Sequence, residues 1–78
     1  MTYYLYMLEC EDGSYYIGTT NDIAKRFAKH LNGKGASYTR SHKPLKVVYQ
    51  EELPDKSSAL KREHILKKLT HAQKLALL

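Results

Sequence analysis

The chain has 78 residues, a formal net charge of +5 and a single cysteine, Cys10. That length allows one domain, residues 1–78, with a small core, and a lone cysteine excludes an internal disulfide. No stretch approaches the roughly 20 apolar residues of a membrane span, and the start has no signal-peptide pattern. A soluble cytoplasmic protein, monomeric by default, is expected. The placement of the charge says more than its total. Seven Lys or Arg and no acid lie between Ile23 and Lys46, and six more with only Glu63 lie between Lys56 and Leu78. Stripes of this kind suit a polyanion, and nucleic acid is the commonest one.

Tyr3 to Gly18 holds two aromatic-rich runs joined by Glu11-Asp12-Gly13, which predicts a β-hairpin. Two registers are possible, and a slip of one residue flips every side chain. With a three-residue loop and Gly13 in the left-handed conformation, Cys10 pairs with Ser14, Tyr6 with Gly18 and Leu8 with Tyr16. One face then carries Tyr3, Leu5, Met7, Tyr15 and Ile17, a credible core. The other gathers Tyr4, Tyr6, Leu8 and Tyr16 beside Gly18, which leaves room for something to approach. Buried tyrosines need hydrogen-bond partners, so a strand pair this rich in them suggests a site.

Thr19 to Asp22 supplies helix caps, and Ile23, Ala24, Phe27, Ala28 and Leu31 recur at helical spacing until Asn32-Gly33. Arg26 and His30 are four apart and fall on the edge of that stripe. An ordinary alternative is that Arg26 pairs with Asp22 and His30 is an edge residue. Gly33 to Pro44 is predicted as a flexible basic loop. Its Gly-Lys-Gly lacks the ending and context of a phosphate-binding P-loop. Together with the lysines of the preceding helix it gives candidate nucleic-acid contacts: Lys25, Lys29, Lys34, Arg40 and Lys43 by charge, and Tyr38 by stacking.

Leu45 to Leu53 is predicted as a third strand. Asp55 or Ser57 then caps a helix with an apolar stripe of Ala59, Leu60, Ile65, Leu66 and Leu69. Thr70 with Gln73 is a capping-box pattern that starts a separate short helix. Glu63 falls on or beside the apolar stripe, where a carboxylate needs a cation or donors. A neighbouring Lys or Arg would meet that need as well as a ligand would. Arg62 falls near Leu66 and Leu69, where its head group can snorkel to water. The four histidines and Cys10 show no zinc spacing.

Tyr6, Tyr16, Arg26, His30 and Glu63, in this order, resemble the active-site set of the GIY-YIG nuclease superfamily, particularly its small stand-alone bacterial members. The second signature is intact as Tyr16-Ile17-Gly18, whereas Tyr4-Leu5-Tyr6 keeps only the last tyrosine of the first. Arg26-x-x-x-His30, the segment from Gly33-Lys34-Gly35 to Pro44-Leu45-Lys46, and Ala59-Leu60-Lys61-Arg62-Glu63 complete the likeness. The resemblance implies an α+β fold, a three-stranded antiparallel sheet flanked by helices in the order β-β-α-β-α-α. It implies hydrolysis of DNA phosphodiester bonds with Mg²⁺ or Mn²⁺ held by Glu63, RNA being a further possible substrate, and a role in repair or processing. Arg26 would clamp the phosphate, Tyr6 or Tyr16 would help activate water, and His30 would orient or relay. The supporting asparagine that many members carry after the glutamate has no counterpart, since Asn21 and Asn32 both lie upstream and Gln73 is badly spaced. With no attached DNA-binding domain, low sequence specificity is expected. A binding module that keeps the fold without the catalysis is the alternative.

Overall fold

The computed structural model describes residues 1–78. Strands β1 (Tyr3–Cys10) and β2 (Tyr15–Thr20) form the hairpin, followed by helices α1 (Ile23–Leu31) and α2 (Ser37–Ser41). Strand β3 (Pro44–Leu53) and helices α3 (Lys56–Lys67) and α4 (His71–Leu75) complete the chain. The sheet is antiparallel with order β2-β1-β3, so β1 is central. The three-stranded sheet and the flanking helices are as expected. The exception is α2, a single turn inside the stretch predicted as loop.

The hairpin adopts the register that the apolar faces favoured. Tyr6 lies opposite Gly18 and Leu8 opposite Tyr16, Gly13 has φ 84°, and the Cys10 N–H donates to the Ser14 carbonyl at 2.9 Å. Leu5, Met7 and Ile17 on one face join Leu66 of α3 in the core, with Tyr15, Val48, Tyr49, Leu53, Leu69 and Leu77 packed around them. A register shift between Met7 and Leu8 lets both Val48 and Tyr49 of β3 reach this cluster. Tyr6 and Leu8, on the opposite face, are equally buried. They are covered by the α1–α2 side of the molecule, where His30 of α1 bonds Tyr6 and Tyr38 of α2 stacks on Tyr16.

The capping residues behave as their chemistry dictates. The Asp22 carboxylate accepts from Lys25 N–H at 3.1 Å, Asp55 from Ser58 N–H at 2.8 Å, and Thr70 and Gln73 form a complete capping box. Asp22 is thus committed to the helix end and forms no ion pair with Arg26. The burial within the helices differs from the wheel. His30, expected at an edge, is the one buried residue of α1, while Leu31 is exposed. In α3, Ala59 and Leu66 are buried but Leu60 and Ile65 face solvent. The reason is polar. Arg62 does not snorkel to water but donates to Glu51 of β3 from Nε at 2.8 Å and Nη2 at 3.0 Å, and Tyr49 donates to the same carboxylate. A helix turned to make that bidentate contact, with Glu63 beside it, presents Leu60 and Ile65 outward.

Candidate active site

Tyr6 reaches the site from the central strand, Tyr16 from the edge strand, Arg26 and His30 from one face of α1, and Glu63 from α3. The cross-strand pairing of Tyr6 with Gly18 is what lets the two tyrosines sit together. The Tyr6 ring lies against the bare Cα of Gly18, and its centroid is 6.4 Å from that of Tyr16. What Gly18 makes room for is therefore Tyr6 itself. His30 is 1% exposed and packs against both rings, 5.9 Å from Tyr6 and edge-on to Tyr16 at 5.2 Å, the three rings forming a triangle. Its Nε2 is 2.8 Å from Tyr6 Oη, and its Nδ1 is 2.7 Å from Thr39 Oγ1.

The charges around this cluster set its protonation. Burial pushes the Tyr6 phenol up to about 12, and the nearby Tyr16 and Glu63 add to the rise, while the Arg26 guanidinium opposes it without cancelling it. Tyr6 is therefore a neutral phenol at physiological pH. The Tyr6 hydroxyl, with Tyr16 beyond it, raises the Arg26 pKa, so that side chain is a permanent cation. His30 is held below its ordinary 6.5, first by burial and then by the charge of Arg26. A neutral imidazole beside a neutral phenol and a fixed cation is a proton-accepting arrangement facing an anion clamp.

Glu63 has a half-buried carboxylate whose ion-pair partner is Lys67, one turn on, at 3.1 Å. The Lys67 ammonium also stands 5.9 Å from the centroid of the Tyr16 ring. No three His, Cys, Asp or Glu side chains gather at one point. A structural zinc site is thereby a poor fit. A hard cation that keeps most of its waters and takes one carboxylate plus phosphate oxygens fits what Glu63 offers.

An open, largely polar groove of about 250 Å³ leads away from Arg26, lined by Tyr3, Thr19, Thr20, Asn21, Asp22, Lys25 and Lys29. Lys25 and Lys29, both exposed, extend the positive charge of Arg26 along α1. The other expected contacts fare unequally. Lys34 and Arg40 are exposed, and Lys43 is exposed with Glu11 of the hairpin loop 3.8 Å away. Tyr38 is not a free stacking arm. Its ring stacks on His42 at 4.0 Å and on Tyr16 at 5.9 Å, because α2 turns it inward. Two residues next to the site, Thr39 and Lys67, are not among the candidates that the sequence offers. The spacing of Lys67, four residues after Glu63 on a helix, was the available signal. Thr39 lies inside the family-like segment from Gly33-Lys34-Gly35 to Pro44-Leu45-Lys46, but the single turn that aims it at His30 has no sequence signal.

The family model described as the GIY-YIG catalytic domain matches residues 2–76. The chain belongs to the GIY-YIG family. Within it, a UPF0213 protein of Cupriavidus pinatubonensis is 57% identical over 74 residues, spanning 95% of this chain and 82% of that one. The solution NMR structure of the UPF0213 protein BH0048 from Bacillus halodurans matches with a TM-score of 0.62 and 43% identity, over 99% of this chain and 82% of that one. That of EF2693 from E. faecalis matches with a TM-score of 0.64 and 38% identity, over 95% and 79%. The two GIY-YIG signatures thus map onto paired strands, Tyr4-Leu5-Tyr6 on β1 and Tyr16-Ile17-Gly18 on β2, with Tyr6 opposite Gly18. No helix of the chain is long and apolar enough to cross a membrane.

Proposed function

We propose that this GIY-YIG protein is a divalent-metal-dependent endonuclease that hydrolyses DNA phosphodiester bonds with little sequence preference, in repair or processing of DNA. The observation that supports this reading is the meeting of Tyr6, Tyr16 and His30, with Arg26 acting on Tyr6 and lining the same groove as Lys25 and Lys29, and with the Glu63 charge close enough to act on Tyr6. The groove and the lysines of α1 take the sugar-phosphate backbone, which carries the affinity without the sequence information. Arg26 binds the scissile phosphate and stabilises the charge that develops on it. As the water oxygen bonds to phosphorus, its proton passes to Tyr6 Oη and the Tyr6 proton passes to His30 Nε2; the bond from phosphorus to the leaving oxygen breaks, its electron pair stays on that oxygen, and the oxygen takes a proton from solvent. Tyr6 thereby acts as base without first becoming a tyrosinate, which its raised pKa disfavours. Glu63 would hold Mg²⁺ or Mn²⁺, which supplies Lewis-acid stabilisation of the phosphate and the leaving oxygen. RNA offers the same backbone chemistry and is a substrate to be tested beside DNA.

A non-catalytic nucleic-acid-binding module is the second reading, and the Glu63–Lys67 ion pair is the observation that favours it. One experiment separates them. Labelled duplex, single-stranded, flap and branched DNA and one RNA are incubated with wild type or Glu63→Ala in Mg²⁺, Mn²⁺ or EDTA. Metal-dependent cutting that Glu63→Ala abolishes supports the nuclease. Salt-sensitive binding by both proteins, with no cutting by wild type, overturns it in favour of the binding module.

A further inference from the structure

Both ring nitrogens of His30 have partners, and the partners are not equivalent. Thr39 Oγ1, 2.7 Å from Nδ1, also lies 2.9 Å from the Ala36 carbonyl oxygen, which can only accept. A hydroxyl has one hydrogen to give. Thr39 gives it to Ala36 and therefore accepts from His30, so the imidazole proton must sit on Nδ1. Nε2 is then a bare lone pair, and the Tyr6 hydroxyl 2.8 Å away must be the donor. The chain of bonds runs in one direction, from Tyr6 through His30 and Thr39 to Ala36.

We infer that Thr39 is the positioning residue that locks His30 in the Nδ1–H tautomer, and that the Gly33–His42 segment serves as an inward clamp on the imidazole.

The local structure supports this purpose. The short helix α2 starts after Ala36, whose carbonyl also accepts the Thr39 N–H at 3.1 Å, so the first turn itself aims Thr39 at the ring. Thr39 is buried, as His30 is, and no buried side-chain nitrogen or oxygen lacks a partner. Gly35 presses on the imidazole from the same segment, where a Cβ would overlap Nδ1 and Cε1. A surface loop built only to touch a phosphate backbone would need none of these contacts. A histidine held the other way, with the proton on Nε2, could not take the Tyr6 proton at all. The clamp thus sets the direction of proton flow that the proposed nuclease reaction requires, and its catalytic consequence rests on that reading.

The tautomer can be observed without any activity. Long-range ¹H–¹⁵N correlation spectra of wild type should show His30 with a pyrrole-like Nδ1 and a pyridine-like Nε2. The reverse pattern overturns the proposal. In Thr39→Val, Nδ1 loses its acceptor, so the pattern should move toward the Nε2–H form, and kcat should fall by about 10²-fold, the low end of a general base's contribution. Thr39→Ser should keep both the wild-type pattern and a rate within a few fold, a rescue that a merely space-filling role would not give. An unmoved pattern in folded Thr39→Val overturns the positioning role. If Thr39→Val fails to fold, the wild-type spectrum and Thr39→Ser still decide. The expected tautomer in a wild type that cuts nothing would count against the nuclease reading and support the tautomer assignment.

Discussion

The Tyr6 hydroxyl lies over the Cα of Gly18, its cross-strand partner, so closely that a Cβ there would come within 2.5 Å of Oη and 2.7 Å of Cζ. Tyr6 cannot swing aside, because its hydroxyl is held by His30 at 2.8 Å. Gly18→Ala should therefore destabilise the fold by about 1–3 kcal/mol through overpacking. It should also lower cleavage by about 10²-fold, the cost of displacing a reacting group by an ångström or so. Adding Tyr6→Phe removes the atom in closest conflict, so the double variant should recover part of the stability and none of the activity. Denaturant melts of the four proteins in that cycle test the coupling. Additive stability losses would mean that the two residues do not compete for the space.

His30 gives the protein a definite acid response. Its folded pKa lies below 6.5 because burial and Arg26 disfavour the charged ring. The unfolded chain therefore takes up this proton first as pH falls. The His30 contribution to stability is fully present above about pH 6.5, declines as pH drops through that value, and levels off below the folded pKa. Protonation also removes the Nε2 lone pair, so the acid limb of kcat should lie below pH 6.5. His30→Gln should lack both this stability slope and this limb. A cleavage profile whose acid limb sits above 6.5 would contradict the neutral, buried imidazole.

Most of this fold was legible because its signals are local. Asp22, Asp55 and Thr70 cap helices within three residues of themselves, and the hairpin register follows from which face Leu5, Met7 and Ile17 must share. The five candidate site residues could be named because their resemblance to a family pattern lies in the order of residue types. Three things were not legible. The burial of His30 depends on α2 and Gly35 closing over it, a contact no helical wheel contains. The wheel alone sends Arg62 to solvent, since its partner Glu51 lies eleven residues away on another element. The stacking of Tyr38 on His42 and Tyr16 has no sequence signal, because an aromatic in a basic, glycine-rich segment looks the same whether it faces outward or inward.

The Glu51–Arg62 pair ties β3 to α3, with Tyr49 donating to the same carboxylate. The Arg62 side chain is 38% exposed, so solvent screening discounts the pair. Arg62→Met, which keeps the stem and removes the charge, should cost about 1 kcal/mol, or roughly 4–8 °C in Tm for a domain of this size. The Glu51 pKa is lowered chiefly by Arg62, so the contribution is present above the ordinary 4.5 and lost as pH falls through the depressed value. The gap in stability between wild type and Arg62→Met should accordingly close in acid. A gap that persists unchanged there would assign the loss to packing of the arginine stem.

Binding to nucleic acid should follow the groove beside α1 more than the Gly33–Pro44 segment. Lys25 and Lys29 line that groove with no acidic partner, whereas Lys43 has Glu11 beside it and Tyr38 is already stacked. Lys25→Ala and Lys29→Ala should each weaken binding to all sequences alike and flatten the slope of log K against log salt by about 1. Lys43→Ala should leave that slope nearly unchanged. Fluorescence anisotropy across a salt series, in EDTA so that nothing is cut, makes the comparison. An equal loss from all three substitutions would place the polyanion across both surfaces.

Lys67 and a metal ion should compete for one carboxylate. The ammonium holds Glu63 at 3.1 Å, yet its side chain is 51% exposed, so it can leave when a divalent cation arrives. With its lysine end open to solvent, the pair is worth about 0.2–1 kcal/mol, so the competition should be modest. Lys67→Met should lower the Mg²⁺ concentration that half-saturates cleavage by about 1.4- to fivefold, since that is the same energy expressed as a binding ratio. The same substitution removes a cation beside Tyr16, so KM for the polynucleotide should rise while the metal requirement eases. Opposite movement of the two constants is the distinctive outcome. Metal dependence that weakens together with polynucleotide binding would instead assign Lys67 to holding Glu63 in place, with no competition between ammonium and metal.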